Sequence, residues 1–243
     1  MLDLLTRACR HPLLYASVLR RHTLVFKERI QESETTYSYI FSPTTTLSWH
    51  PGQHAIFSLS KRVQEGKNWR PFSVASAPHE GVIRIGTTIP EPHSDFKQRL
   101  LELRSGDTLF MRGPFGEFCV PRTATHIIGI AGGIGITPLR SIIAAAAHSH
   151  DPRPITLIYS ATNTHVYRTE FDAWHRLHPH LNVIYVRTID ETNNAIRDLV
   201  RIHANTAHYF VSGSPNMIKA VRTDLHNLGV RNVYNDPFKG YLL

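Results

Sequence analysis

The sequence is poor in cysteine and contains no long apolar run. Its 243 residues include two cysteines, Cys9 and Cys119, too few for a disulfide scaffold, a four-cysteine zinc site or a four-cysteine iron–sulfur cluster. This scarcity fits a reducing compartment, so we expect a cytoplasmic protein. No stretch reaches the roughly 18 uninterrupted apolar residues that a membrane span needs. The absences argue against a disulfide-rich secreted protein and against a membrane-spanning chain.

Acidic side chains are also in deficit. The chain has 19 Asp and Glu against 27 Lys and Arg, which gives a formal net charge of +8. Composition alone leaves nucleic acid, a membrane surface, an acidic protein and a phosphate-bearing cofactor open as anionic partners, beside a merely well-solvated surface. The sequence has no zinc-finger motif, no RNP motif and no long basic run, so we do not expect a nucleic-acid partner.

Residues 1–22 form a segment distinct from the rest of the chain. They are mildly apolar but are interrupted by charged residues and Pro12, and no small-residue cleavage site follows. We interpret the segment as an N-terminal arm or short helix, not a signal peptide. Its basic side chains leave peripheral contact with a membrane or a partner open.

Residues 23–121 have the texture of an antiparallel β-barrel. Short segments with β-forming residues are punctuated by Gly and Pro, and one helical repeat follows Ser94. Such short, closely spaced strands predict a barrel. We predict strands at 36–41, 54–59, 72–75, 82–89 and 108–112, and a helix that ends before Gly106.

Residues 122–243 alternate apolar strands with helices. This rhythm predicts a parallel sheet covered on both faces, a Rossmann-like α/β domain. We predict strands at 127–131, 155–159, 182–186, 209–212 and 233–234, and helices at 138–148, 167–177, 195–202 and 215–228. The chain is therefore expected to have two domains, with the boundary near residues 121–125.

A glycine-rich loop follows the first strand of the second domain. Strand, glycines and helix in this order present free backbone N–H groups and the positive end of a helix dipole, which suit a phosphate. The glycines would let a pyrophosphate approach the backbone. We predict Thr137 as the helix N-cap and Pro138 as the first helical residue. A tight turn without a ligand stays open, since the spacing is not G-x-G-x-x-G. The loop residues are Gly132, Gly133, Gly135, Thr137 and Pro138.

Other strand ends in this domain also carry small or polar residues. Ligands of parallel sheets bind at the carboxyl ends of the strands. Four such ends together favour a nucleotide cleft. Besides the glycine loop, the ends carry Ser160, Thr162, Thr188, Ser212 and Gly213.

The first domain contains a short candidate binding element, Arg70-Pro71-Phe72-Ser73. Arg70 can make a forked contact with a phosphate, and Phe72 can stack on a flat ring. Ser73 can hydrogen-bond a ring nitrogen. The alternative is a barrel strand with Phe72 in the core.

The ordered set of motifs resembles the ferredoxin–NADP reductase superfamily. Members have an FAD-binding barrel followed by a nicotinamide-binding α/β domain, and the resemblance extends from about residue 23 to the C-terminus. The motifs are, in order, Arg70-Pro71-Phe72-Ser73, Gly113-Pro114-Phe115-Gly116-Glu117-Phe118, Gly132 to Pro138, Tyr159-Ser160, Ser212-Gly213-Ser214-Pro215, and a tail with Phe238 and Tyr241.

The resemblance implies roles for the residues of the first domain. Arg70 matches the arginine on the FAD pyrophosphate, Phe72 the aromatic residue that stacks on the isoalloxazine, and Ser73 the hydroxyl near flavin N5. Phe72 departs from the more usual tyrosine. A strand end with Ile85, Gly86, Thr87 and Thr88 would line the flavin, and Ser94-Asp95-Phe96 would form a second phosphate-binding turn.

It also implies roles in the second domain. Gly132 to Pro138 would hold the pyrophosphate of NADH or NADPH, with Ser160 and Thr162 nearby, and Ser212 and Gly213 would line the nicotinamide pocket. Members that prefer NADPH often have arginine where this chain has Ala161 and Thr162. Because these two residues carry no charge, NADH is slightly favoured, although Arg168 or Arg187 could take the place of the missing arginine. Asp236 could be the acidic residue that the family carries near its C-terminus.

The implied reaction brings two flat rings together. Nicotinamide C4 must lie within roughly 3–3.5 Å of flavin N5 for hydride transfer. In many relatives a C-terminal aromatic residue covers the flavin and must move. Tyr241, or failing that Phe238, is the expected cover here, unless it only packs the terminus.

Two functions fit these observations. The first is an NAD(P)H-dependent reductase that passes electrons from FAD to a separate acceptor, either an acidic carrier such as ferredoxin or flavodoxin or a small molecule. The second is a flavoprotein module that only relays electrons within a larger oxidoreductase. We expect no metal site, since His175, His178 and His180 near a helix end have no carboxylate or thiolate at ligand spacing, and His148 and His150 lie elsewhere in the sequence.

Overall fold

A computed structural model describes residues 15–60, 63 and 65–236. The chain divides into two compact units between Cys119 and Val120. The first unit is built on an antiparallel sheet and the second on a parallel sheet. This is the two-domain class that the sequence predicts. Within the part of the chain that the structure describes, no helix is long and apolar enough to cross a membrane.

The first unit contains six strands in one antiparallel sheet, with the order β4-β3-β6-β1-β2-β5. A single α-helix, α1, spans Asp95–Leu101, and short 3₁₀ turns occupy Ala16–Leu19 and Pro78–Glu80. The strands are β1 (Arg21–Gln31), β2 (Thr36–Pro43), β3 (His54–Leu59), β4 (Trp69–Ser73), β5 (Ile83–Thr88) and β6 (Thr108–Phe115).

The sheet curls so that its two edges meet. β4 and β5 are the edge strands, yet the backbone N–H of Ala75, just after β4, donates to the carbonyl of Arg84 in β5 at 2.7 Å. Closure removes exposed strand edges and encloses one apolar core. Phe41, Phe57 and Met111 are fully buried in that core. The barrel therefore gives β4 a fixed place beside β5.

β1 is the strand that the sequence analysis did not identify. It is 11 residues long and begins at Arg21, inside the segment interpreted as an arm. A register shift between Phe26 and Glu28 marks a bulge, which breaks the alternation of apolar and polar residues. Because the bulge is followed by charged residues, the second half of β1 lacks the period that predicts a strand.

The second unit contains five parallel strands in the order β11-β10-β7-β8-β9. Helices alternate with the strands, and 3₁₀ turns occupy Gly133–Gly135 and Ala204–Thr206. The strands are β7 (Ile127–Gly132), β8 (Ile155–Ser160), β9 (Leu181–Val186), β10 (His208–Ser212) and β11 (Val233–Asn235). The helices are α2 (Ile136–His148), α3 (Arg168–Leu177), α4 (Ile189–His203) and α5 (Pro215–Asn227).

The central strands of this sheet are buried on both faces. Consecutive residues of β7 such as Ile127 and Ile128 are at most 1% exposed, because helices cover the two sides of the sheet. Reciprocal hydrogen bonds between Thr188 and Glu191 fix the start of α4. The amphipathic α4 then packs Ile196 and Val200 against the sheet. These contacts leave the carboxyl ends of the strands to the connecting loops.

The helix after the glycine loop starts earlier than expected. The prediction of Thr137 as N-cap is wrong: Gly135 occupies that position, and α2 begins at Ile136. The Thr137 hydroxyl donates to the Ile134 carbonyl at 3.1 Å and caps nothing. The 3₁₀ turn at Gly133 has already coiled the backbone, so Pro138 falls at the third helical position, where its missing N–H still costs no helical hydrogen bond.

Candidate functional site

In the first unit, two residues of the Arg-x-x-Ser element converge on α1. The Arg70 guanidinium lies 5.3 Å from the ring centroid of Phe96, and the Phe72 ring lies 6.1 Å from the same ring. Phe72 also packs edge-on against Phe57 in the core. β4 and the first turn of α1 thus place one cation and two aromatic rings together.

Lys97 joins this group, and the sequence analysis did not single it out. Its ammonium donates to the Thr88 carbonyl at the end of β5, at 2.7 Å. Burial lowers the pKa of Lys97, and the positive charge of Arg70 lowers it further. Two neighbouring cations repel each other, which an anion between them would relieve. The missed signal was a basic residue in the first turn of the helix that follows Ser94.

The remaining candidates in the first unit lie on β4, on β5 and at the start of α1. Ser73 ends β4, is 7% exposed and pairs in register with His54. Thr88 pairs with Thr36, and their hydroxyls lie 3.2 Å apart. Of the other candidates on β5, Ile85 and Thr87 are buried and Gly86 is half-buried. Ser94 occupies the N-cap position of α1, but its side chain makes no capping hydrogen bond.

In the second unit, the glycine loop packs against the loop after β10. A Cβ on Gly135 would lie 2.6 Å from the backbone of Gly213, and a Cβ on Gly132 would lie 2.1 Å from the sulfur of Met217. Close loop packing therefore accounts for these glycines without a ligand. Gly133 differs: its φ is +52°, and nothing lies within 4 Å of the position of a Cβ. Its backbone is the part of the loop with open space beside it.

A hydroxyl at the end of β10 pairs with a carboxylate that follows β11. The Ser212 hydroxyl donates to the Asp236 carboxylate at 3.3 Å, and both residues are almost completely buried. The Asp236 backbone N–H donates to the Val211 carbonyl. These contacts place an acidic side chain at the end of β10, beside Gly213.

The loop after β8 contains the remaining candidates. The Ser160 hydroxyl accepts from the Thr192 hydroxyl at 3.1 Å, and Thr162 is exposed. Arg168 at the start of α3 lies 4.4 Å from the Tyr185 ring and 3.4 Å from the Asp172 carboxylate. Arg187 is exposed at the start of a groove between α3 and α4. Arg168 is therefore already engaged by an aromatic ring and a carboxylate.

The C-terminal candidates Phe238 and Tyr241 lie outside the described residues. The histidines are distributed differently from what sequence spacing suggests, because the His150 and His178 rings lie 5.6 Å apart. Among the described residues, no group of three or more His, Cys, Asp or Glu side chains is arranged to hold a metal ion.

Comparison with known proteins agrees with this arrangement. Residues 130–223 match the family model of the oxidoreductase NAD-binding domain. Reductase component 1 of terephthalate 1,2-dioxygenase from Comamonas is 30% identical over 206 residues, which cover 77% of this chain and 58% of that protein. A variant of ferredoxin–NADP⁺ reductase from Plasmodium falciparum shares the fold, with a TM-score of 0.77, 18% identity and coverage of 90% and 96% of the two chains. Residues 130–223 therefore match an oxidoreductase NAD-binding domain, and the chain has the two-domain fold of ferredoxin–NADP⁺ reductase.

A second similar protein is named for a different electron acceptor. NADH-cytochrome b5 reductase 1 from Aspergillus fumigatus is 27% identical over 227 residues, which cover 84% of this chain and 74% of that protein. The chain spans a little over half the length of the terephthalate dioxygenase reductase components that it matches. The family model and the shared fold agree with the resemblance noted in the sequence, while the electron acceptor differs between these similar proteins.

Proposed function

We propose that this protein is a flavoprotein reductase that transfers hydride from NADH or NADPH to bound FAD and then passes electrons to a separate acceptor. Two arrangements of residues, one in each unit, carry the proposal. On the fold of ferredoxin–NADP⁺ reductase, the first unit holds two adjacent cations beside two aromatic rings, and the second unit holds a glycine loop with open space at Gly133. The first arrangement suits a flavin dinucleotide and the second a nicotinamide dinucleotide.

The residues of the first unit fit FAD. Arg70 and Lys97 would hold its pyrophosphate, because charge-assisted hydrogen bonds from two neighbouring cations suit a dianionic group. Phe72 would stack on the isoalloxazine, and β5 would line it with the backbone of residues 85–88. Ser73 would hydrogen-bond the flavin near N5. FAD when bound supplies the chemistry of accepting a hydride and releasing single electrons.

The residues of the second unit fit a nicotinamide dinucleotide. The backbone of Gly133 and the start of α2 would bind its pyrophosphate. Ser212, Gly213 and Asp236 would surround the nicotinamide, with the serine held in place by the carboxylate. Ser160 and Thr162 would contact the adenosine ribose. Phe238 and Tyr241 stay candidates for covering the flavin.

NADH is the cofactor that we favour. A 2′-phosphate needs a free arginine, and Arg168 is engaged by Tyr185 and Asp172. Ala161 and Thr162, which follow Ser160, carry no charge. Arg168 would have to give up these contacts to bind a 2′-phosphate, which leaves exposed Arg187 as the arginine that NADPH would need, so the preference for NADH is slight.

We place the electron acceptor outside the 243 residues of this sequence. Two cysteines in the chain cannot supply the four thiolates of a [2Fe–2S] cluster. The net charge of +8 fits an acidic carrier protein such as ferredoxin or flavodoxin. A small acceptor is the other candidate, and the names of the relatives add an oxygenase component and cytochrome b5 to the kinds of partner to test.

Anaerobic mixing with reduced nicotinamide tests the proposal. The FAD-loaded protein is mixed with NADH or with NADPH in a stopped-flow instrument, and flavin absorbance is followed. Prompt bleaching by NADH, and slower bleaching by NADPH, is the expected result. No bleaching with either cofactor would favour the electron-relay module. Failure to bind FAD would contradict both the reductase and the electron-relay hypotheses.

A further inference from the structure

The outer face of the barrel carries aromatic and cationic side chains in register. Ser58 in β3 lies between Trp69 in β4 and Phe110 in β6, and Ile56 in the same strand lies between Pro71 and Arg112. Arg112 in turn pairs with Arg21 in β1. Since side chains of a strand alternate between faces, these residues share the face opposite the buried core. We call Arg21, Ile56, Lys67, Trp69, Phe110 and Arg112 the outer barrel patch.

Two cation–π pairs lie on the patch. The Arg21 guanidinium is 4.4 Å from the Phe110 ring centroid, and the Lys67 ammonium is 5.5 Å from the Trp69 ring centroid. Trp69 is 43% exposed, which is unusual for a large apolar side chain. Aromatic residues and arginine together are enriched where proteins bind other proteins.

The patch lacks compensating negative charge. β3, β4 and β6 contain no Asp or Glu, and the only acidic residue in β1 is Glu28, which follows the bulge. Within the part of the chain that the structure describes, Arg21, Lys67 and Arg112 form no ion pair. The patch is therefore a cationic, partly apolar surface with no carboxylate of its own.

We propose that the outer barrel patch is a docking surface for an acidic protein. Partner carboxylates would pair with the three cations, and apolar partner side chains would pack on Trp69 and Ile56. An anionic membrane fits less well. The three basic side chains of the patch fall short of the clusters of about 4–8 that bind such membranes.

The patch adjoins the proposed flavin site through one strand. Arg70 and Phe72 of β4 point toward Phe57 and Phe96, and by alternation Trp69 and Pro71 point to the other face. The choice of partner rests on the proposed function, and on that basis we assign the surface to an acidic electron carrier. A [2Fe–2S] ferredoxin is the probe.

Binding is measured without turnover, so that it is independent of the proposed reaction. Calorimetry at low salt measures how tightly a purified acidic [2Fe–2S] ferredoxin binds to three FAD-loaded proteins of full chain length. These are the parent, the double variant Arg21→Glu/Arg112→Glu, and Trp69→Ala. We expect the double variant to bind at least about tenfold more weakly and Trp69→Ala about fivefold more weakly. The double variant Arg21→Ala/Arg112→Ala should show an intermediate loss.

A matched control carries the same change of charge elsewhere. Arg201→Glu/Arg222→Glu reverses two exposed arginines on α4 and α5 and should bind ferredoxin within about twofold of the parent. Flavin content and bleaching by NADH are recorded for each variant; loss of bleaching in the parent contradicts the proposed function, not the docking surface. Three results would overturn the inference. The charge-reversed variant could bind ferredoxin as tightly as the parent, the control could lose as much affinity as that variant, or the parent could fail to bind ferredoxin. The inference is also overturned if ferredoxin does not bind and the parent, but not the charge-reversed variant, pellets with phosphatidylserine vesicles. That result would make the patch a membrane-binding surface.

Discussion

Arg70 and Lys97 form the residue pair on which the proposed flavin site depends. They come from a strand and a helix separated by 26 residues of chain, and the fold brings them close together, so that burial and then the charge of Arg70 lower the pKa of Lys97. Like charges held together at a partly buried position lower stability unless an anion binds between them. The pair therefore suits a phosphate, which would bring opposite charge to both residues at once.

Removal of Arg70 should weaken FAD binding. We expect Arg70→Ala to raise the Kd for FAD by about 10- to 100-fold, which corresponds to the loss of charge-assisted hydrogen bonds of about 1.5–3 kcal/mol. Fluorescence quenching on titration of the apoprotein with FAD measures the change. Arg99→Ala on the same helix is the matched control, since Arg99 is exposed and pairs with Glu102. Equal losses in the two variants would contradict the assignment.

Asp151 gives the fold a predictable acid sensitivity. Hydrogen bonds from Arg153, whose Nε lies 2.9 and 3.0 Å from the two carboxylate oxygens, hold the pKa of Asp151 below its usual 3.8. A lowered folded-state pKa stabilises the protein above pH 3.8, and this contribution disappears as the pH falls through the folded-state value.

The consequence is a pH-dependent effect of Asp151→Asn. At pH 7 the variant should lose about 0.5 kcal/mol of unfolding free energy, the size of a partly exposed ion pair. The parent and the variant should converge as the pH falls from 3.8 through the folded-state pKa of Asp151. Urea unfolding at pH 7 and at successive steps below pH 3.8 measures both effects, and Asp224→Asn, an exposed aspartate on α5, is the control. A difference that persists at low pH would show that the ion pair is not the cause.

At the scale of elements, the glycine loop combines two functions of glycine. Gly132 and Gly135 permit close packing against Met217 and Gly213, whereas Gly133 has a positive φ and open space beside it. The sequence predicts the order of strand, glycines and helix. It cannot separate the packing glycines from the binding one, because Gly213 is 78 residues further along the chain from Gly135.

The two kinds of glycine can be distinguished by substitution. Gly135→Ala places a Cβ 2.6 Å from backbone atoms and should cost about 2–3 kcal/mol of unfolding free energy by overpacking. Gly133→Ala should cost only about 1 kcal/mol, from left-handed backbone conformation. Because Gly133 would face the pyrophosphate, its variant should bind NADH at least about tenfold more weakly.

Urea unfolding and NADH titration of the two variants measure these effects separately. Binding of NADH by Gly133→Ala at the affinity of the parent would show that the open side of the loop is not the phosphate site. Equal destabilisation by the two substitutions would show that the contact with Gly213 does not limit the loop.

Elements with a regular period could be predicted from the sequence, and those with an interrupted period could not. The strand β3 at His54–Leu59 was predicted with its observed bounds. β1 was missed because its bulge at Phe26 and Glu28 breaks the alternation. Individual candidates such as Phe72 could be identified from local motifs. The contacts of Lys97 with Thr88, and of Ser212 with Asp236, could not, since they depend on how separate elements meet.

At the scale of the whole molecule, the net charge of +8 has two components. Part of it, with Arg70 and Lys97 foremost, lies where we propose that the cofactor phosphates bind, and part lies on the outer barrel patch. The two parts should respond differently to salt. A charge that contacts a bound phosphate in a partly buried site is screened little, while exposed charges that attract a partner through solvent are screened strongly.

Salt should therefore affect reduction of an acidic carrier and leave flavin reduction largely unchanged. The Debye length falls from about 10 Å at 0.1 M to about 3 Å at 1 M. We expect the KM for ferredoxin to rise at least about tenfold between low salt and 0.5 M NaCl. Flavin reduction at saturating NADH, and turnover with a neutral quinone as acceptor, should change by less than about twofold.

Local charge and net charge make different predictions for the same experiment. Arg21→Glu/Arg112→Glu and Arg201→Glu/Arg222→Glu lower the net charge equally, but only the first pair lies on the outer barrel patch. If the patch steers the carrier, the salt dependence of KM should flatten in the first variant and persist in the second, because attraction at a docking surface decays within a Debye length. Equal flattening in both variants would assign the steering to the net charge of the molecule, and no flattening in either would separate the basic surface from electron transfer altogether.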